Sequence, residues 1–104
     1  MEFRKLSMAV AAAACALAAQ PVVAQFTTQG VTDDEIVIGT HMDLSGPIKS
    51  WGVPATNGMT LAVEEINARG GVHGRKLRLI VEDDSYDPKK AVMQTQKLIQ
   101  RDKV

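Results

Sequence analysis

From residue 34 onward the apolar positions switch between two periods. Ile36-Val37-Ile38 is a short β-branched run inside Glu35–Met42, the signature of a strand covered on both faces. Asp43 to Pro54 is rich in Gly, Pro and Ser and reads as a loop. Ala55, Met59, Ala62, Val63 and Ile66 then recur at the spacing of one helical face, and Gly70-Gly71 ends that helix. His73-Gly74 predicts a tight turn. Leu77, Leu79 and Val81 alternate along Lys76–Glu82, with Ile80 on the opposite side, which predicts a second strand. After a loop from Asp83 to Asp87, Asp87-Pro88 is a helix start with Asp as N-cap and Pro at N1. Ala91, Val92, Thr95, Leu98 and Ile99 share a face of that second helix. No glycine caps its end, and Val104 stands in what reads as the approach to another strand.

Strand, helix, strand, helix is the order of an α/β protein. A helical crossover joins parallel strands with a right-handed connection. Two parallel strands alone leave both outer edges open, so the pattern predicts a sheet begun but incomplete, and marginal by itself.

The first residues change the picture of where the chain works. Arg4-Lys5 precedes a largely apolar, Ala-rich stretch from Leu6 to Ala19, and Pro21 ends it. A membrane span needs roughly 20 apolar residues. The stretch is shorter and has no polar face, so it reads as a secretory signal over residues 1–24. The expected cut falls between Ala24 and Gln25, with Ala16-Leu17-Ala18 as a second possible cut. Cys15, the only cysteine, leaves lipidation as an alternative and allows no disulfide. Residues 25–33 form a polar lead-in expected to be mobile, and 34–104 the folded part. The chain remaining after the cut is close to neutral, which points to no nucleic-acid partner. No permanent membrane span is expected.

In open α/β sheets, ligands bind beyond the carboxyl ends of the strands, where the two loops 43–54 and 83–87 lie. A helix N-terminus aimed at that place suits a carboxylate. Trp51, the only tryptophan, either covers the apolar part of a ligand or packs over its own helix. Asp43, Asp83, Asp84 and Asp87 lack the spacing of a calcium loop and read as caps. His41 and His73 have no metal-ligand spacing around them. No phosphate loop, dinucleotide fingerprint or nucleophile elbow is present, so neither an enzyme nor a cofactor is expected.

Ile36-Val37-Ile38-Gly39, Leu44-Ser45-Gly46-Pro47 and Trp51-Gly52 resemble the opening of type I periplasmic binding proteins, in particular the leucine/isoleucine/valine-binding family. Residues 62–77, AVEEINARGGVHGRKL, are similar to that family's first helix and the turn into its second strand; 82–92, EDDSYDPKKAV, to its next loop and helix start. The resemblance implies a doubly wound sheet within one lobe of a two-lobed receptor, which takes an amino acid or related small carboxylate to the permease of an ABC importer from the periplasm. It implies Trp51 as a ligand contact, with Ser45, Lys49 and Ser50 as weaker candidates in the same loop. Some members carry a cysteine where Tyr86 sits; here that disulfide cannot form from this position. By the same resemblance the chain is the N-terminal part of a longer receptor, not expected to bind alone. A ligand-sensing domain of a signalling receptor on the same fold is the alternative.

Overall fold

A computed structural model describes residues 28–104. The expected signal segment, the expected cut between Ala24 and Gln25, and Cys15 all lie outside the described residues, as does the start of the lead-in at Gln25. Two parallel strands, β1 (Glu35–Met42) and β2 (Lys76–Asp83), alternate with two helices, α1 (Lys49–Ala68) and α2 (Pro88–Gln100). Glu35 stands opposite Lys76 and Met42 opposite Asp83, so the two strands end level with one another.

The register assigns the faces. Side chains alternate along a strand, and parallel partners share a face. A side chain at Gly39 would meet Leu98 of α2, and Glu82 pairs with Lys97 of the same helix. The odd positions of β1 therefore lie under α2. Ile36, Ile38, Leu77, Leu79 and Val81 are left to Met59, Val63 and Ile66 of α1. The two helices thus cover opposite faces, α1 chiefly over β2 and α2 chiefly over β1, which makes the sheet doubly wound. Leu98 is the only buried apolar side chain among the described residues, so the core of this segment is thin. Among the described residues no helix is long and apolar enough to cross a membrane.

Within residues 28–33, Gly30 C=O accepts from Val37 N–H at 2.7 Å, and the side-chain amide of Gln29 donates through Nε2 to the carbonyls of Ile99 and Val104. Three expectations are corrected. The loop expected over 43–54 ends early, because α1 begins at Lys49 and carries Pro54 within it. Pro54 comes near the helix start, and its missing N–H forgoes only the bond to the Ser50 carbonyl. The buried side of α1 is turned accordingly: Gly52 is buried and Thr56 half-buried, whereas Ala55 and Ala62 are exposed. On α2, Ala91, Gln94, Thr95 and Leu98 face inward, but Val92 and Ile99 are 59% and 50% exposed.

The helix ends follow from local chemistry. Gly71 N–H donates to Ile66 C=O and Gly70 N–H to Asn67 C=O, with Gly70 at φ +104°, which is a Schellman ending. His73 and Gly74 then adopt positive φ, and the Val72–Arg75 backbone bonds close a tight turn. Asn67 fixes this return to the sheet. Its Oδ1 accepts from Leu77 N–H and its Nδ2 donates to Leu77 C=O, both at 2.7 Å, occupying two peptide groups on the outer edge of β2.

Gly70 and Gly71 are expected to differ under substitution. A Cβ at Gly70 meets nothing, and Gly70→Ala should cost only the left-handed backbone penalty of about 1 kcal/mol. A Cβ at Gly71 would collide with the Arg75 carbonyl, so Gly71→Ala should cost clearly more, roughly 2 kcal/mol or above. Urea midpoints of the intact protein check the order. Asn67→Ala strands two edge groups and should lower stability by about 1–3 kcal/mol, read in the same titration.

Candidate functional site

The level strand ends bring the loop 43–48 and the loop 84–87 side by side. Each is shaped by an aspartate that ends or directly follows a strand. Asp43, 4% exposed, accepts from Gly46 N–H through Oδ1 and from Ile48 N–H through Oδ2, the latter at 2.7 Å. That folds the chain back and starts α1. Helix α1 then rests on the same residue: a Cβ at Gly52 would penetrate the Asp43 carbonyl, so only glycine permits the approach.

Asp83 stitches the two loops together. Its Oδ1 accepts from Leu44 N–H and Ser85 N–H at 2.9 Å each, and its Oδ2 accepts from Ser45 Oγ at 2.5 Å. Ser45 Oγ also lies 2.9 Å from Ser85 Oγ, which receives a bond from Lys90 Nζ. Gly46 packs on the Ser85 carbonyl, where no side chain fits. The Ser45 bond, followed by the two backbone N–H bonds, holds the Asp83 carboxyl down from 3.8 to about 2.

A second carboxylate orders the turn after β2. Asp84 Oδ2 pairs with His41 Nδ1 at 2.7 Å, and Oδ1 accepts from Tyr86 N–H at 2.8 Å. The His41 bond first, then the Tyr86 bond, keeps the Asp84 carboxyl below its ordinary range. Asp87 N–H returns to Asp84 C=O, and Ser85 and Tyr86 both take positive φ, at 52° and 57°. Asp87 caps α2 by accepting from Lys89 and Lys90 N–H. All four aspartates thus serve as caps and turn formers.

The candidate ligand residues fall into two groups. Ser45 is engaged with Asp83 and Ser85. Lys49, Ser50 and Trp51 form the exposed first turn of α1, and Trp51 is 78% exposed, so it does not pack down on its own helix. Lys49 N–H bonds Gly46 C=O and Trp51 N–H bonds Ile48 C=O. That leaves the Ser50 N–H as the one of these three without a partner among the described residues. The tie between His41 and Asp84 escaped sequence reading, because it joins residues 43 positions apart and only the parallel register brings them together.

The Asp83 bonds set an acid response. A carboxyl whose folded pKa lies below its unfolded value stabilises the fold above the unfolded value, and that contribution is lost as pH falls through the folded one. Stability should therefore drop between about pH 4 and pH 2, with Asp84 shifted in the same direction. Asp83→Asn is expected to melt below wild type at pH 6 and to converge on it near pH 2, followed by thermal melts across that range.

Residues 35–104 match the periplasmic binding protein family. The leucine-specific-binding protein of Salmonella typhimurium is 38% identical over 78 residues, 75% of this chain and 21% of the relative. The Leu/Ile/Val-binding protein of Escherichia coli is 34% identical over 84 residues, 81% of this chain and 23% of the relative. The chain thus spans about a fifth of the length of these relatives. Among solved structures, a fatty acid ABC transporter substrate-binding protein from Thermomonospora curvata aligns with a TM-score of 0.67 and 42% identity, covering 69% of this chain and 18% of that one. The branched-chain amino acid transporter substrate-binding protein of Streptococcus pneumoniae, in complex with isoleucine, aligns with a TM-score of 0.66 and 32% identity, covering 68% and 20%. With its parallel strands, its doubly wound helices and this match over the whole of 35–104, the chain belongs to the periplasmic binding protein family.

Proposed function

We propose that this chain is the opening part of the first lobe of an exported solute receptor, which carries a small carboxylate, an amino acid in the first instance, to the permease of an ABC importer. The observation that carries the reading is Trp51, exposed on the first turn of α1 at the carboxyl edge of a parallel sheet. The ligands in the names of its relatives, leucine, isoleucine, valine and a fatty acid, share a carboxylate and an apolar body. The first turn of α1 offers a complement to each part. The Ser50 N–H at the positive end of the helix, with Lys49 beside it, suits the carboxylate. The indole of Trp51 suits the apolar body. Ser45 contributes by clamping the loop to Asp83. The protein binds and releases its ligand without transforming it. A signal segment at residues 1–24, removed ahead of Gln25, and work in the periplasm agree with the role.

In the intact protein, leucine, isoleucine, valine and medium-chain fatty acids are the first ligands to titrate by calorimetry. Trp51→Ala should weaken the one that binds by about tenfold or more, the worth of a lost aromatic contact. Unchanged affinity in that variant would remove Trp51 from the site, and no saturable binding of any of these would remove the reading.

A further inference from the structure

The loop after β2 presents a second exposed aromatic side chain on the same edge of the sheet. Tyr86 is 62% exposed. It lines an open depression of about 390 Å³ together with Asp84, Asp87, Pro88 and Ala91. The Asp84 carboxylate is engaged by His41 and Tyr86 N–H, and Asp87 accepts from the Lys89 and Lys90 N–H groups through Oδ1. The apolar part of the lining is the phenol ring, the proline ring and the alanine methyl. Its turn adjoins the loop that leads into α1, whose first turn bears Trp51, because Ser85, one residue before Tyr86, is bonded to Ser45 and shares Asp83 with it. Tyr86 is also held in place. Its backbone is in the left-handed region, which costs a non-glycine residue about 1–2 kcal/mol, and the Asp84 carboxylate secures it there.

We infer that Tyr86 is a specificity-determining residue: it receives the far end of the ligand's apolar body, beyond the part that Trp51 covers, and so favours extended or aromatic side chains over compact ones. This rests on the reading of the protein as a receptor for small carboxylates. His41 is a positioning residue in this arrangement, acting through Asp84 on the Tyr86 turn.

The test uses the intact protein and two pairs of probes matched in head group, valine with phenylalanine and butanoate with octanoate, titrated by calorimetry into wild type, Tyr86→Ala, Tyr86→Phe and Trp51→Ala. In whichever pair titrates, Tyr86→Ala should weaken the extended member about tenfold and the compact member less than about threefold, while Tyr86→Phe stays within about threefold of wild type on both. An equal effect of Tyr86→Ala on both members would mark a purely structural role and overturn the inference. So would no effect on the extended member, or titration of the compact member alone. If Trp51→Ala weakens binding while Tyr86→Ala does not, the receptor reading stands and the Tyr86 assignment falls. If neither pair titrates with wild type, the Tyr86 assignment falls, and the receptor reading falls with it only if leucine and isoleucine also fail to titrate.

Discussion

A carboxylate taken out of water is unfavourable unless its oxygens find donors. Asp43, at the end of β1, is buried and finds two, the N–H groups of Gly46 and Ile48. The rest of the edge depends on that arrangement. The two bonds turn the chain, and the turn starts α1 at Lys49. The start places Trp51 outward and Gly52 inward, and Gly52 seats the helix on the Asp43 carbonyl. One side chain thus sets where the helix begins, which way it points and which residue heads it.

The parallel register extends this control to the second loop. Because Met42 and Asp83 are partners, the residues after both strands emerge at the same height. Asp83 can then reach across to Leu44 and Ser45, and His41 to Asp84. A shift of one residue would turn every one of these side chains to the wrong face. The network is thus both a product of the register and a lock on it.

Much of the fold was legible from periodicity. Ile36-Val37-Ile38 and the Leu77, Leu79, Val81 alternation marked the strands, and the Asp87-Pro88 and Gly70-Gly71 boundaries were found because capping chemistry is local. The start of α1 was misplaced for the opposite reason. Glycine and proline between 46 and 54 read as a loop by composition, whereas Gly52 is there for a close contact and Pro54 is tolerated near the helix start. The Asp43-to-Gly46 spacing, an aspartate accepting from the residue three ahead, was the available signal. Val92 and Ile99 fit the helical period yet are exposed, because periodicity locates an apolar face without saying what covers it. The pairing of Ser45 with Asp83 was out of reach altogether, since no local pattern records which loops a sheet will bring together.

Gly46 and Gly52 bracket the stretch from Pro47 to Trp51, and each lies against a peptide carbonyl, that of Ser85 or that of Asp43. Backbone packed on backbone leaves no slack at either end. The segment between them cannot lengthen, shorten or swing without breaking one contact or the other. On the proposed reading of this edge as a ligand site, a change of ligand would therefore be channelled into exchanging side chains on a fixed frame. Relatives that differ in what they bind can be expected to keep this stretch of main chain superimposable while its side chains change.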